Sequence, residues 1–326
     1  MDPSPPAASE SADRLPFRLN RRPEERIRLL GQTMDLVKPE EVLHFISGRV
    51  RRSLGGIVAN HNAHSLYLLR KNPAFQDFYR RADLVEVDST PLLMWARITG
   101  RKKSRRFHRC TYLDWRASFW RLAVAGGWRV FYLGGAPGVA DRAAGAIGEQ
   151  FPGVTLGVRD GYFDMTNPAA CAEVLAQIRA FRPQVLLVGM GMPRQETWIS
   201  ENYDALGPCV VLPVGAAFDY EAGVQTAAPR WMGRLGVEWL FRLVSDPRRL
   251  FTRYCVEPWS LIQVLAYDLW DARRLARLEQ SLERRTGEAQ AGSAPRRRAS
   301  DQRGTLRAED YTAGLVGSRP DHQVAA

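Results

Sequence analysis

Residues 184–198, QVLLVGMGMPRQETW, join an unbroken apolar run to a glycine-broken turn and a polar helix start. The run Val185–Val188 has no polar side, so a strand made from it must be covered by helices on both faces. Gly189 and Gly191 remove side chains where the chain turns, and Pro193 suits a first helical position, where its missing N–H costs nothing. Arg194, Gln195 and Glu196 then fall in the first helical turn. In an open α/β sheet, ligands rest outside the carboxyl ends of the strands, close to helix N-termini. The segment thus carries a cation, an amide and a carboxylate to the place where an anionic ligand would sit. The plainer alternative is an ordinary strand-to-helix turn with a solvated polar start.

Other segments repeat this alternation. Residues 39–52 suit a helix with Val42, Phe45, Ile46 and Val50 on one side, and Ile57–Ala59 suit a strand. Asn60, His61 and Asn62 fall at its end and in the turn beyond. His61 and His64 are four apart, but no carboxylate accompanies them, so no metal site is expected. Ala82–Asp88 alternates like a strand, with Ser89 or Thr90 as helix cap and Pro91 in the first turn. Asp88 therefore ends a second strand, where a carboxylate can accept a proton from an attacking hydroxyl or simply cap the helix. A helix over Leu113–Val124 precedes the strand Trp128–Leu133. Gly134, Gly135 and Gly138 turn that strand into a helix over Val139–Gln150, a turn that can approach a diphosphate closely. A further strand (Val154–Val158) and helix (Ala169–Phe181) follow, and the last strand, Cys209–Val214, leads to Asp219 and Glu221, which can bond sugar hydroxyls. Together these predict an α/β, Rossmann-like, mostly parallel sheet flanked by helices.

After Pro229 the pattern changes. Trp231, Leu235, Trp239, Leu243 and Val244 make an apolar stripe among arginines, and a second stripe runs from Trp259 to Trp270. Interfacial helices combine tryptophan, an apolar face and flanking arginine in this way, although packed surface helices do so too. The expected organisation is a disordered arm (1–23), an α/β catalytic domain (24–228), a membrane-associating amphipathic helical appendage (229–275) and a disordered basic tail (276–326). The net charge of +11 calls for an acidic partner, with much of the excess in the tail. The basic run 101–109, RKKSRRFHR, reads as a solvated loop or as a phosphate or membrane contact. Four scattered cysteines suit reduced thiols in a cytosolic protein. Residues 1–17 do not read as a secretory leader, and no stretch reaches the roughly 20 apolar residues of a membrane span, so neither is expected.

The segment GMGMPRQETW resembles the G-x-G-x-P-x-Q-E-x-W signature of the WecG/TagA/CpsF family of bacterial glycosyltransferases. Blocks in the same order include VFYLGGAPGVA (130–140), FPGV (151–154), DGYF (160–163), GAAFDYEAG (215–223) and APRW (228–231). VEWLFRL and PRRLFTRY complete the resemblance, which covers residues 40–258. It implies an inverting, metal-independent transferase with no cofactor, peripheral on the inner face of the cytoplasmic membrane. Such an enzyme moves a hexose or N-acetylhexosamine-type sugar from a UDP-sugar to a polyprenyl-diphosphate-linked saccharide of an exopolysaccharide, capsule or wall polymer. A homo-oligomer is left open.

The resemblance places Asp88 as catalytic base and Gln195 in the active site. Asn60, Asn62, Arg106, Gly134, Gly135, Gly191, Arg194, Glu196 and Asp219 are the candidate substrate-binding residues. Arg242, Arg249 and Arg253 would meet the lipid diphosphate at the membrane. The chain departs from the family pattern where Asn60 replaces a threonine, where Ser89 follows Asp88, and where Ala227 replaces the arginine of R-A-P. The R-x-x-G-x-D element ends on Thr111 instead of aspartate. These departures imply a sugar or acceptor different from that of the N-acetylmannosaminyl members. Two other classes compete. A basic nucleic-acid binder lacks any RNP, KH or helix-turn-helix pattern, and a nicotinamide-dependent dehydrogenase lacks GxGxxG.

Overall fold

The structure, a computed structural model, describes residues 25–101 and 103–292. The predicted N-terminal arm and residues 293–326 of the predicted tail lie outside the described residues. The chain through Leu278 forms one compact unit, so the catalytic domain and the appendage are not separate bodies; residues from Glu279 belong to a second unit.

An antiparallel hairpin that the sequence reading did not foresee comes first, β1 (Arg26–Leu29) and β2 (Gln32–Asp35). Leu30 and Gly31 both have positive φ, 52° and 78°, as a two-residue hairpin turn requires. There follow α1 (Pro39–Arg51), β3 (Gly56–His61), α2 (Ala63–Leu69), α3 (Pro73–Arg81), β4 (Leu84–Val87) and α4 (Thr90–Ile98). Next are α5 (Tyr112–Ala125), β5 (Arg129–Gly134), α6 (Val139–Gln150), β6 (Thr155–Arg159), α7 (Pro168–Phe181) and β7 (Val185–Gly189). The remainder of the sheet domain is α8 (Arg194–Asn202), β8 (Val210–Pro213) and α9 (Ala217–Glu221).

Six of these strands form one sheet in the order β4-β3-β8-β7-β5-β6, every pair parallel. Alternation along β7 sends Val185 and Leu187 to one face and Leu186 and Val188 to the other, all fully buried. On the first face they meet α1, α5 and α6 through Ile46, Phe119, Trp120 and Ile147; on the second they meet α3, α7 and α8 through Phe78, Ile178 and Trp198. The predicted doubly covered parallel sheet is therefore the observed one. The helix expected over Val139–Gln150 has those bounds, and Ser89 caps α4 with its hydroxyl accepting from the Leu92 N–H. Pro193 caps α8 instead of occupying its first turn. His61, expected in the turn, ends β3 fully buried, with its ring stacked on Tyr79.

The appendage is a string of short helices, α10 (Arg230–Leu235), α11 (Glu238–Ser245) and α12 (Pro247–Phe251). A π-helical turn over Thr252–Val256 leads to α13 (Glu257–Ser260) and then to α14 (Ile262–Gly292). Gly236, at φ 80°, separates the first two, and Pro247 opens the third. The tail predicted from residue 276 thus begins as helix. Its sequence RRLARLEQSLERR at 273–285 consists mostly of strong helix formers.

What fixes the appendage is a set of buried polar contacts. Asp268 receives the Leu30 N–H at 3.1 Å, the Trp95 indole at 2.9 Å and the Arg101 guanidinium at 2.9 Å. Removing one partner of such a buried pair leaves the others unpaired, at a cost of about 3–5 kcal/mol. Asp268→Ala is expected to release α14 first. Amide exchange in residues 262–278 should accelerate while that of β7 stays slow.

Candidate active site

The cleft lies at the carboxyl ends of β3, β4, β7 and β8, has a volume of about 450 Å³, and is roofed by the appendage. Its polar lining brings together Asn60, Asn62, Asp88 and Gln195 from the sheet ends with Arg242 and Arg253 from the appendage. Gly191 lines it as well. A second recess of about 320 Å³ shares Asn62, Asp88, Arg242 and Arg253, and adds Pro91, Leu92, Trp239 and Pro258. Asp88 and the two arginines therefore stand on the wall between a polar cleft and a more apolar one.

Asp88 follows β4 directly, and its N–H donates to the His61 carbonyl at 2.9 Å, which seats it beside the end of β3. Burial is the main influence on its carboxyl and raises it to about 6; Arg109, Arg242 and Arg253 oppose the rise, and Glu238 adds to it. The side chain is still 33% exposed, so water and a substrate hydroxyl can reach it. At neutral pH it is ionised and able to accept a proton.

Gln195 is held at both ends of its amide. Oε1 accepts the Gly215 N–H at 3.1 Å and Nε2 donates to Glu196 Oε1 at 2.7 Å. One amide hydrogen and one lone pair remain for a ligand. Glu196 is fully buried and does not line the cleft; it acts by orienting Gln195. Burial raises its carboxyl to about 7, against hydrogen bonds from Gln195 and its own backbone and the charge of Arg253. Asn60 Nδ2 donates to the Pro213 carbonyl at 3.1 Å, tying β3 to the end of β8. Asn62 caps α2, its Oδ1 accepting the Ser65 N–H at 3.0 Å.

Besides Glu196, five expected ligand contacts are not brought to the cleft: Gly134, Gly135, Arg106, Arg194 and Asp219. Gly134 and Gly135 end β5 away from it, and packing between neighbouring strands explains their glycines. A Cβ on Gly134 would lie 2.4 Å from the Gly189 carbonyl oxygen, and the Gly135 N–H donates to that same oxygen at 3.1 Å. Gly134→Ala is accordingly expected to lower stability by about 1–3 kcal/mol, read as a lower urea midpoint. Arg194 points away, donating to the Gly161 and Phe163 carbonyls at 3.2 and 3.1 Å and so holding the loop after β6. Arg106 lies in a shallow recess with Lys38, Phe107 and Asp114. Asp219 sits on α9, where its backbone carbonyl accepts from Val224 and Gln225, while its neighbour Tyr220 lines the cleft. The side chain of Arg249 lies outside the described residues.

Two residues that the sequence reading passed over complete the electrostatics. Arg109, 11% exposed, lies 3.9 Å from Asp88 and 3.9 Å from Asp114, and makes a 2.5 Å bridge to Glu238 of α11. Glu238 also bridges Arg242 at 2.5 Å, one helical turn on. Arg109, Glu238 and Arg242 thus link the β4 end to the appendage beside the carboxylate. The i,i+4 spacing of Glu238 and Arg242 is visible in the sequence; the bridge across 129 residues to Arg109 is not. Thr111, where aspartate was expected, donates its hydroxyl to Asp114 at 2.8 Å, so a carboxylate is present three residues later. On the appendage, His64 of α2 meets Glu257 at 2.5 Å. Among the described residues no cluster of three His, Cys, Asp or Glu side chains is placed to hold a metal ion, and no helix is long and apolar enough to cross a membrane.

The family described as Glycosyl transferase WecG/TagA/CpsF matches residues 27–274. Among characterised relatives, the N-acetylglucosaminyldiphosphoundecaprenol N-acetyl-beta-D-mannosaminyltransferase of Staphylococcus aureus strain MW2 is 25% identical over 202 residues, spanning 59% of this chain and 77% of the relative. The proteins of the same name from strains NCTC 8325 / PS 47 and MRSA252 match with the same identity and coverage.

Proposed function

The chain belongs to the WecG/TagA/CpsF family and is a glycosyltransferase, and from that premise we propose the reaction that its cleft performs. A UDP-sugar donates a hexose or N-acetylhexosamine-type unit to a polyprenyl-diphosphate-linked saccharide, with inversion and without a metal. The observation that carries this reading is the meeting of Asp88 with Arg242 and Arg253 on one wall. Asp88 takes the proton of the acceptor hydroxyl as its oxygen attacks the anomeric carbon. The bond from that carbon to UDP breaks on the opposite face, and UDP leaves with the electron pair. Arg242 and Arg253 are cations fixed where that charge develops, which is the role a divalent ion would otherwise fill.

The second, more apolar recess gives the lipid-linked acceptor a place beside Asp88. Trp231, Trp239, Phe251, Trp259, Tyr267 and Trp270 of the appendage are exposed by 41–72%, as suits a surface resting on a bilayer. The polyprenyl chain would remain in the membrane while its diphosphate enters under the arginines. The S. aureus relatives are named for an N-acetylmannosaminyl product on an N-acetylglucosaminyl acceptor, and this pair is the first to try. Neither the nucleic-acid binder nor the nicotinamide dehydrogenase agrees with the family. The test is incubation of the protein with a panel of UDP-sugars and a polyprenyl-diphosphate saccharide, with products read by mass spectrometry. A mass increase of one sugar without added metal supports the reading; no transfer from any donor in the panel contradicts it.

A further inference from the structure

The cleft has an inner end as well as a wall. Glu86 precedes Asp88 by two positions, so both side chains leave the same face of the sheet, and Asn60 is its partner across the β3–β4 pairing. At about 3.3 Å per residue, Glu86 stands roughly 6.6 Å from Asp88 along the strand, on the core side. It is only 4% exposed, yet it lines the cleft together with Cys110, Tyr112 and Trp115. The Cys110 thiol and the Trp115 indole lie close enough to favour its charged form. Even so, no hydrogen bond reaches Glu86 Oε1 or Trp115 Nε1 among the described residues.

Among the described residues Glu196 also leaves a buried oxygen, Oε2, without a partner, but it does not line the cleft, and three other buried carboxylates are occupied. Asp35 holds Arg26 and the Val85 N–H, Asp268 holds Arg101, Trp95 and Leu30, and Glu221 holds Arg116 and Tyr112. An unmade hydrogen bond at a buried polar group is destabilising, and here a donor and a carboxyl oxygen share the omission at the edge of a cavity. Burial raises the Glu86 carboxyl to about 8, with Cys110 and Trp115 opposing and Asp88 adding to the rise. At neutral pH the group is mostly the neutral acid, which both donates and accepts.

We propose that Glu86 and Trp115 form a hydroxyl-binding subsite at the inner end of the cleft, which holds one hydroxyl of a sugar ring and selects the sugar that fits. The proposal rests on the glycosyl-transfer reading above. The indole N–H donates to the hydroxyl oxygen, and the hydroxyl hydrogen is donated to the carbonyl oxygen of Glu86. A site built to bond a hydroxyl discriminates strongly against an analogue that lacks it, because its own buried groups are then left unpaired. The sugar is that of the donor or that of the acceptor, and the two are separable by experiment.

The test compares wild type with Glu86→Gln, Glu86→Leu and Trp115→Phe. Each is assayed with intact substrates and with singly deoxygenated donor or acceptor sugars, and folding is checked by circular dichroism. Glu86→Leu should raise KM for one substrate about tenfold or more and become indifferent to one deoxy position that wild type rejects. The position, on donor or acceptor, identifies the sugar held. Glu86→Gln, which keeps a neutral donor and acceptor, should remain within about threefold of wild type. Wild-type KM for that substrate should fall or hold as pH passes 8, because the ionised Glu86 accepts the hydroxyl hydrogen more strongly, whereas that of Glu86→Gln should stay flat. Trp115→Phe should share the deoxy indifference in part, and it decides the matter with the pH profile if Glu86→Leu does not fold. Equal losses in the Gln and Leu variants confined to kcat, or unchanged deoxy discrimination in every variant, would overturn the subsite and leave the transfer reaction standing. Absence of transfer by wild type would overturn the reaction itself, and the subsite with it.

Discussion

Asp88→Asn should lower sugar transfer by about 10²–10⁴-fold while the protein stays folded, the range that a positioned general base contributes. The wild-type rate should climb with pH through about 6, where the Asp88 carboxyl loses its proton, and the residual rate of the variant should lack that limb. Stability moves the other way. In the fold the carboxyl is raised to about 6, against an ordinary value of 3.8, so between those pH values the unfolded chain binds fewer protons than the folded one. Stability therefore falls as pH rises across that window, and the loss is complete above pH 6. An asparagine does not incur it. The variant should melt at or above the wild-type temperature at pH 7.5, and a large drop in melting temperature would point to a structural role for Asp88.

Arg253→Ala and Arg242→Ala are expected to have the next largest effects, each cutting kcat by about 10²–10³-fold, as loss of one charge-stabilising donor does. The two should differ in their secondary consequences. Arg242 is bridged to Glu238 at 2.5 Å, and Glu238 in turn to Arg109. Its loss leaves Glu238 with one cation and brings an extra net negative charge close to Asp88, so the rising limb of the pH profile should move upward. Arg253 acts on Asp88 more weakly than Arg109, Arg242 or Glu238, and its removal should move that limb less. Kinetics across pH 5–8 for both variants would separate these effects.

How much of this was legible beforehand follows from the range of the interactions. The apolar run Val185–Val188 and the alternation before Asp88 are local signals, and they placed the parallel sheet, the carboxyl-end location of the cleft and the Asp88–Gln195 pair. The arginines of the appendage were legible from composition and resemblance, and two of them line the cleft. Residues whose reason lies on another strand were not. Gly134 reads like a phosphate-binding turn, but its missing side chain is explained by the backbone of Gly189. Arg194 reads like a ligand cation at a helix start, but two loop carbonyls occupy it. The Arg109–Glu238 bridge is not legible in the sequence because its two ends lie 129 residues apart. The hairpin at 26–35 was missed although Leu30-Gly31 sits at its turn; its strands are four residues each, too short for a periodic signal.

In the proposed reaction the sugar changes hands in the cleft over β3, β4, β7 and β8, closed by appendage arginines. A crystal structure of the Asp88→Asn protein with an intact UDP-sugar tests it most directly. The account requires the diphosphate within hydrogen-bond reach of Arg242 or Arg253 and the anomeric carbon facing residue 88. A nucleotide seated instead at the Gly134–Gly138 turn, with residue 88 remote from the sugar, would contradict it.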